Sequence, residues 1–251
     1  MNPTKRVIKY QNKEVKKFLT RFWLIMLGLN IFAYIANYYT SVNSRILYFA
    51  IGNDGTMSVA GININAALYA LIGYEISMYY QHFSIAIGFS ATRKSFYKSV
   101  IVNNSINSLF MATISALLLK IDRFIISAIG REPLIDFRFF NTIDDNILFI
   151  ILSLFIGFFT LLSLVNIIAM LLYRLGAAKF WIGALALFIL MSILISVNDF
   201  TILRTIGNSI GQIFLARITP ISLIYIIIIN FILNVLGYFI IRKINIKYSK
   251  A

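Results

Sequence analysis

The chain has 251 residues, 60% hydrophobic and 13% charged, with 23 Lys and Arg against 9 acids and a net charge of +14. A soluble domain carries about twice that charged fraction, so the basic surplus belongs to a membrane protein and not to a nucleic-acid-binding one. Having no Cys and only His82, the chain excludes disulfides, thiolate nucleophiles, zinc–thiolate sites and any multi-histidine metal site within itself.

Residues 1–21 are polar and basic and carry no cleavable-signal pattern. At helical periodicity Val7, Ile8, Gln11, Val15, Phe18, Leu19 and Phe22 share one face, with Lys5, Arg6, Lys9, Lys13, Lys16 and Lys17 opposite. That pattern predicts an amphipathic elbow helix in the headgroup plane, passing at Trp23 into a first span. Six transmembrane helices are predicted, at about 22–39, 62–80, 96–119, 147–173, 180–197 and 218–241, each near the length a bilayer core requires. A basic tail follows at 242–251. The fold class is therefore an all-α polytopic membrane protein.

An even number of spans leaves both termini on one side. Sixteen Lys and Arg fall in the terminal segments and the second and fourth loops, against seven on the other side, where seven of the nine acids also lie. The positive-inside bias therefore places both termini in the cytoplasm, with anionic lipid as the default partner of the basic face and nucleic acid excluded.

Residues 81–99, between spans two and three, are neither simply polar nor a span. Phe83, Ile85 and Ile87 give apolar surface, Gly88, Ser90 and Thr92 loosen the chain, and Arg93, Lys94 and Lys98 interleave with Phe96 and Tyr97. A short helix below the bilayer is expected there. The later loop repeats the mixture with Arg174, Gly176 and Lys179, so both segments read either as docking elements or as ordinary interfacial anchors. Residues 88–95 also imitate a phosphate-binding loop, but Arg93 replaces the essential glycine and the segment follows a span where that motif follows a strand.

Polar residues recur within the spans: Asn30 and Asn37 in the first, Asn103 and Asn107 in the third beside a stripe of Asn104, Ser108, Met111 and Ser115, and Asn230 and Asn234 in the sixth. They are either interhelical hydrogen bonds or a translocation lining. Gly28, Gly73, Gly157, Gly183 and Gly237 read as close-packing positions. Glu75 is the one acid expected at membrane depth, as a proton-coupling group, a contact for a cationic substrate, or a packing residue.

The basic elbow, six spans and the Gly88, Ser90, Thr92, Arg93, Lys94, Phe96, Tyr97 pattern together resemble the permease subunits of bacterial ABC-2-type exporters. The topology covers nearly the whole chain and the residue pattern about one tenth of it. The resemblance implies a multi-pass protein of the bacterial cytoplasmic membrane that pairs with a second permease subunit, alike or different, and with two separate ATP-binding cassette subunits. It makes residues 83–97 the coupling helix, leaves ATP and Mg on the partners with no cofactor or catalytic residue in this chain, and implies export of amphipathic peptides, lipids or drugs. Richness in Ile, Asn, Phe and Lys looks like an AT-rich Gram-positive source and favours peptide export. The alternatives are an ion-coupled secondary carrier using Glu75 and, last, an intramembrane enzyme, for which no nucleophile–base pair recurs at helical spacing.

Overall fold

The computed structural model describes residues 3–39, 56–88, 90–137, 139–197 and 220–244. Among these the protein is helical, with isolated bridges (Met57 with Pro133, Asp136 with Asn141) as its only extended pairing. The helices are α1 (Pro3–Tyr39), α2 (Gly61–Ser77), α3 (Phe83–Gly88), α4 (Arg93–Ala128), α5 (Ile147–Leu175), α6 (Ala177–Val197) and α7 (Pro220–Ile241), with a π-helical turn Met78–His82 joining α2 to α3. Of these, α1, α5 and α7 are long and apolar enough to cross a membrane, and the Ala177–Leu190 part of α6 forms a shorter apolar stretch. Residues 218 and 219 of the sixth expected span and residues 245–251 of the tail lie outside the described residues.

The expected break between an elbow helix at 1–21 and a first span at 22 does not occur. Pro3 sits in the first helical position, where its missing N–H costs nothing, and no glycine or second proline interrupts the run before Gly28. The result is one helix of 37 residues, about 55 Å long. Its buried stripe, Val7, Gln11, Val15, Leu19, Trp23, Met26, Asn30, Ala33 and Asn37, advances by three or four residues throughout. The N-terminal apolar face packs on protein: Val7, Val15 and Leu19 join one core with Tyr74, Met78, Phe83 and Phe96.

Residues 81–99 meet a second expectation in part. The short helix expected there is present as α3, but it continues from α2 through the π-helical turn without a break in the chain's helical course. Ser90 N–H then bonds the Ile87 carbonyl at 2.9 Å and Ala91 N–H the Ala86 carbonyl at 3.2 Å. Thr92, with extended backbone, caps α4 by accepting from Ser95 N–H at 3.1 Å.

The core lies where α5 packs against α2, α4, α6 and α7, with α1 laid along α4. Large apolar side chains also face outward, including Leu24, Ile25, Phe32, Trp181, Phe188, Ile227 and Phe231. In water such a surface would aggregate; against lipid tails it is at home.

At the far end from Gly88, three segments meet on Asp122 of α4. Its carboxyl oxygens accept from the Tyr34 and Ser58 hydroxyls and, at 3.3 Å, from the N–H groups of Val59 and Ala60. Ser58 Oγ in turn accepts from Gly61 N–H at 2.9 Å, so the first turn of α2 has its free donors satisfied. Lys120 donates to the carbonyls of Thr142 and Asp145 at 2.6 and 3.1 Å, and Arg131 to that of Asn37 at 3.3 Å, so these bases tie down the connection to α5. Asp122→Ala is expected to lower stability by about 3 kcal/mol, because it strands several buried donors, and Tyr34→Phe by only about 1 kcal/mol. Thermal unfolding in detergent checks this order, and equal losses would remove Asp122 from the centre of the contact.

Candidate functional site

The expected partner-coupling residues divide into two groups. Phe83, Phe96 and Tyr97, expected on a docking surface, are buried inside this chain. Phe83 stacks edge-on with Phe96 at 5.0 Å and with Tyr173 at 5.6 Å, and Tyr79 meets Phe96 at 5.7 Å. Tyr97 donates to the Asn234 carbonyl of α7 at 2.7 Å. An aromatic side chain between two helices buries more apolar area against its own fold than a solvated turn can offer, and so it turns inward. Gly88, Ser90, Thr92 and Lys94 are exposed, and half-buried Arg93 donates at 2.9 Å to the Arg242 carbonyl just past α7. Ser90 holds a left-handed φ of 59°.

The second expected loop lies at the same end, because Tyr173, one residue before Arg174, touches both Tyr80 and Phe83 at 5.6 Å. Arg174 and Lys179 are exposed. Gly176 takes φ 83°, a value that disfavours a side chain, and this reverses the chain from α5 into α6. A groove of about 1090 Å³ runs along the basic face of α1, lined by Lys5, Lys9, Lys13 and Lys16 and reaching Ser90.

Most of the polar residues expected as a translocation lining form interhelical bonds or lie apart. Asn230 donates to Thr160 Oγ1 at 2.7 Å and Asn234 to Ser163 Oγ at 3.2 Å, joining α7 to α5. Asn37 bonds its own helix at the Ala33 carbonyl, 2.8 Å away, and Asn30 is buried two turns below it on α1. Tyr79 donates to Asn166, a contact between the π-helical turn and α5 that the span pattern does not single out. The signal available for it is the polar spacing of Thr160, Ser163 and Asn166 within an apolar helix. Asp122 escapes notice for a similar reason: it continues the Asn104, Ser108, Ser115 stripe by one heptad, yet falls among the charges that follow the third expected span.

Glu75, Asn103 and Asn107 are all buried, the first on α2 and the other two on α4. Asn103 donates to Gln11 of α1, whose own amide reaches Met78 Sδ at 3.3 Å. Glu75 is fully buried, with Asn104 as its polar neighbour across the α2–α4 contact, and neither of its carboxyl oxygens closes a hydrogen bond. His82, beyond the expected end of the second span, packs on Tyr10 at 5.4 Å; burial holds its pKa below the ordinary value and Glu14 partly opposes this. Neutral imidazole is thereby favoured at pH 7.

Of the glycines, Gly237 alone among those expected as close-packing is in tight contact: a Cβ there would overlap the Tyr97 hydroxyl. Gly28, Gly73, Gly157 and Gly183 have open space at that position, so close packing does not explain them. No family model matches the chain, nor does any curated protein or solved structure.

Gly237→Ala is expected to push Tyr97 off the Asn234 carbonyl and lower the melting temperature by several degrees, whereas Gly157→Ala is close to neutral. Adding Tyr97→Phe to Gly237→Ala removes the clashing hydroxyl and recovers part of the loss. A full additive loss in the double variant would count against this contact.

Proposed function

We propose that this chain is the membrane-spanning permease subunit of an ATP-driven exporter, crossing the bacterial cytoplasmic membrane six times with both termini inside. Separate ATPase subunits and a second permease subunit complete it, and the cargo is an amphipathic peptide, lipid or drug-like molecule. The observation that carries this reading is the arrangement of the two turns at one end of the bundle. Their exposed residues, Ser90, Lys94, Arg174 and Lys179, offer a polar basic surface, while Phe83, Phe96 and Tyr173 directly behind them are locked into α3, α4 and α5.

A load applied at such turns has a route inward. Phe83 passes it to α5 through Tyr173 and to α4 through Phe96, and Arg93 passes it to the end of α7. The π-helical turn Met78–His82 is a place where α2 can change register without breaking. The chain's phosphate-loop imitation lacks its glycine, which supports nucleotide use by a partner and not by this subunit. The groove along α1 supports an acidic partner or anionic headgroups at the same end.

Two measurements test the proposal. Tagged protein purified from its native membrane in mild detergent is expected to bring down an ATP-binding subunit with vanadate-sensitive ATPase activity. Lys94→Glu, at an exposed position, is expected to reduce that activity at least tenfold without changing the melting temperature; recovery of the chain alone would defeat the reading. Since the chain has no Cys, single cysteines replacing Lys5 and Lys243 give a topology test. A membrane-impermeant maleimide should label neither in intact cells and both in inverted vesicles, and labelling of either in intact cells would reject cytoplasmic termini.

A further inference from the structure

A cluster of buried side-chain oxygens that close no hydrogen bond lies around Glu75. Both of its carboxyl oxygens, the side-chain carbonyl oxygens of Asn103, Asn104 and Asn107, and the Ser108 hydroxyl are buried and close no hydrogen bond of ordinary geometry. The four α4 residues span less than two helical turns, and Glu75 faces them from α2 through Asn104. Protein interiors leave few polar groups orphaned, and a concentration of them calls for a cause.

Ordinary packing does not supply it. Elsewhere on α4, Ser105 and Thr113 bond back to the carbonyls of Ile101 and Leu109, at 3.0 and 2.8 Å, as helical hydroxyls do. Ser108 does not. Of the nearby tyrosine hydroxyls, Tyr79 is engaged with Asn166 and Tyr97 with the Asn234 carbonyl, while that of Tyr74 is buried and closes no bond to the cluster. No side-chain cation among the described residues answers Glu75, whose two carboxyl oxygens are without a partner. The position of the cluster is set by the Asn103–Gln11–Met78 contacts, which bring α1 and the π-helical turn to the same level.

We propose that Glu75, Asn103, Asn104, Asn107 and Ser108 form a binding site for one alkali-metal cation. Such an ion takes oxygen ligands, and a single carboxylate matches a single positive charge. A divalent ion would keep half its charge uncompensated in an apolar bundle, where isolated charge is costly. Neutral amide and hydroxyl oxygens complete the shell without adding charge. This inference does not depend on the exporter reading, since every ligand belongs to this chain, and the two can fail separately.

The test uses the full purified chain in detergent, melted in increasing sodium chloride, lithium chloride or potassium chloride, with choline chloride at equal ionic strength as reference. A saturable rise of several degrees with at least one alkali cation, absent with choline, is expected, because a ligand that binds only the folded state stabilises it by mass action. Glu75→Gln should abolish the rise, and Asn107→Ala should shift its midpoint to at least tenfold higher salt. Equal melting curves in alkali and choline salts, or an undiminished rise in Glu75→Gln, would overturn the site. If Glu75→Gln does not fold, the wild-type salt comparison and Asn107→Ala decide the matter alone. Co-purification of ATPase subunits reports on the exporter reading and is unaffected by either result.

Discussion

The Asp122 carboxyl group is the contact on which the arrangement of the first four helices depends. It receives two hydroxyls and two backbone N–H groups from α1 and from the segment entering α2, while standing on α4 itself. A helix end inside an apolar bundle has free N–H groups that lipid cannot satisfy, so something in the protein must accept from them. Ser58 Oγ does so for Gly61 at the start of α2, while Asp122 holds Ser58, Val59 and Ala60 just ahead of it and, through Tyr34, sets how α1 is turned about its axis. From there the α1 stripe runs against its neighbours without a break to Val7.

At the opposite end, aromatic contacts take over from hydrogen bonds. Tyr79, Phe83, Phe96 and Tyr173 tie the widened end of α2 to α4 and α5. Their rings occupy the space behind the turn, and its polar residues are left outside. A surface of lysine and serine on a rigid aromatic base is suited to transmitting force, which is why the exporter reading attaches to this end of the molecule. Helices α5 and α7 are joined between these ends by the Thr160–Asn230 and Ser163–Asn234 pairs, which hold register where apolar contact alone is tolerant of sliding.

Much of the helical layout is legible in the chain. The expected segments 147–173 and 180–197 fall within α5 and α6, and 96–119 falls within α4, because long apolar runs bounded by Asn146, Gly176 and Thr92 leave few other options. The continuity of α1 through residue 21 is not legible, for a physical reason. A stripe of Val, Leu and Phe opposite lysines looks the same whether lipid headgroups or another helix will cover it. The turn misleads in a similar way, since Phe83, Phe96 and Tyr97 beside Lys and Arg fit an exposed anchor as well as a buried one.

Composition and hydropathy by themselves determined that the protein is helical and built with apolar surfaces long enough to cross a membrane, because backbone groups in lipid must be satisfied within their own helix. Periodicity likewise marked Gln11, Asn103, Asn104 and Ser108 as members of stripes. Only the tertiary structure decided which stripes meet: that Gln11 reaches Asn103 across 92 positions of chain, that Asp122 holds the segment entering α2, and that Tyr97 closes on Gly237. A helix's own sequence states which face is polar, but the partner of that face is set by how the helices pack, and that depends on every contact at once.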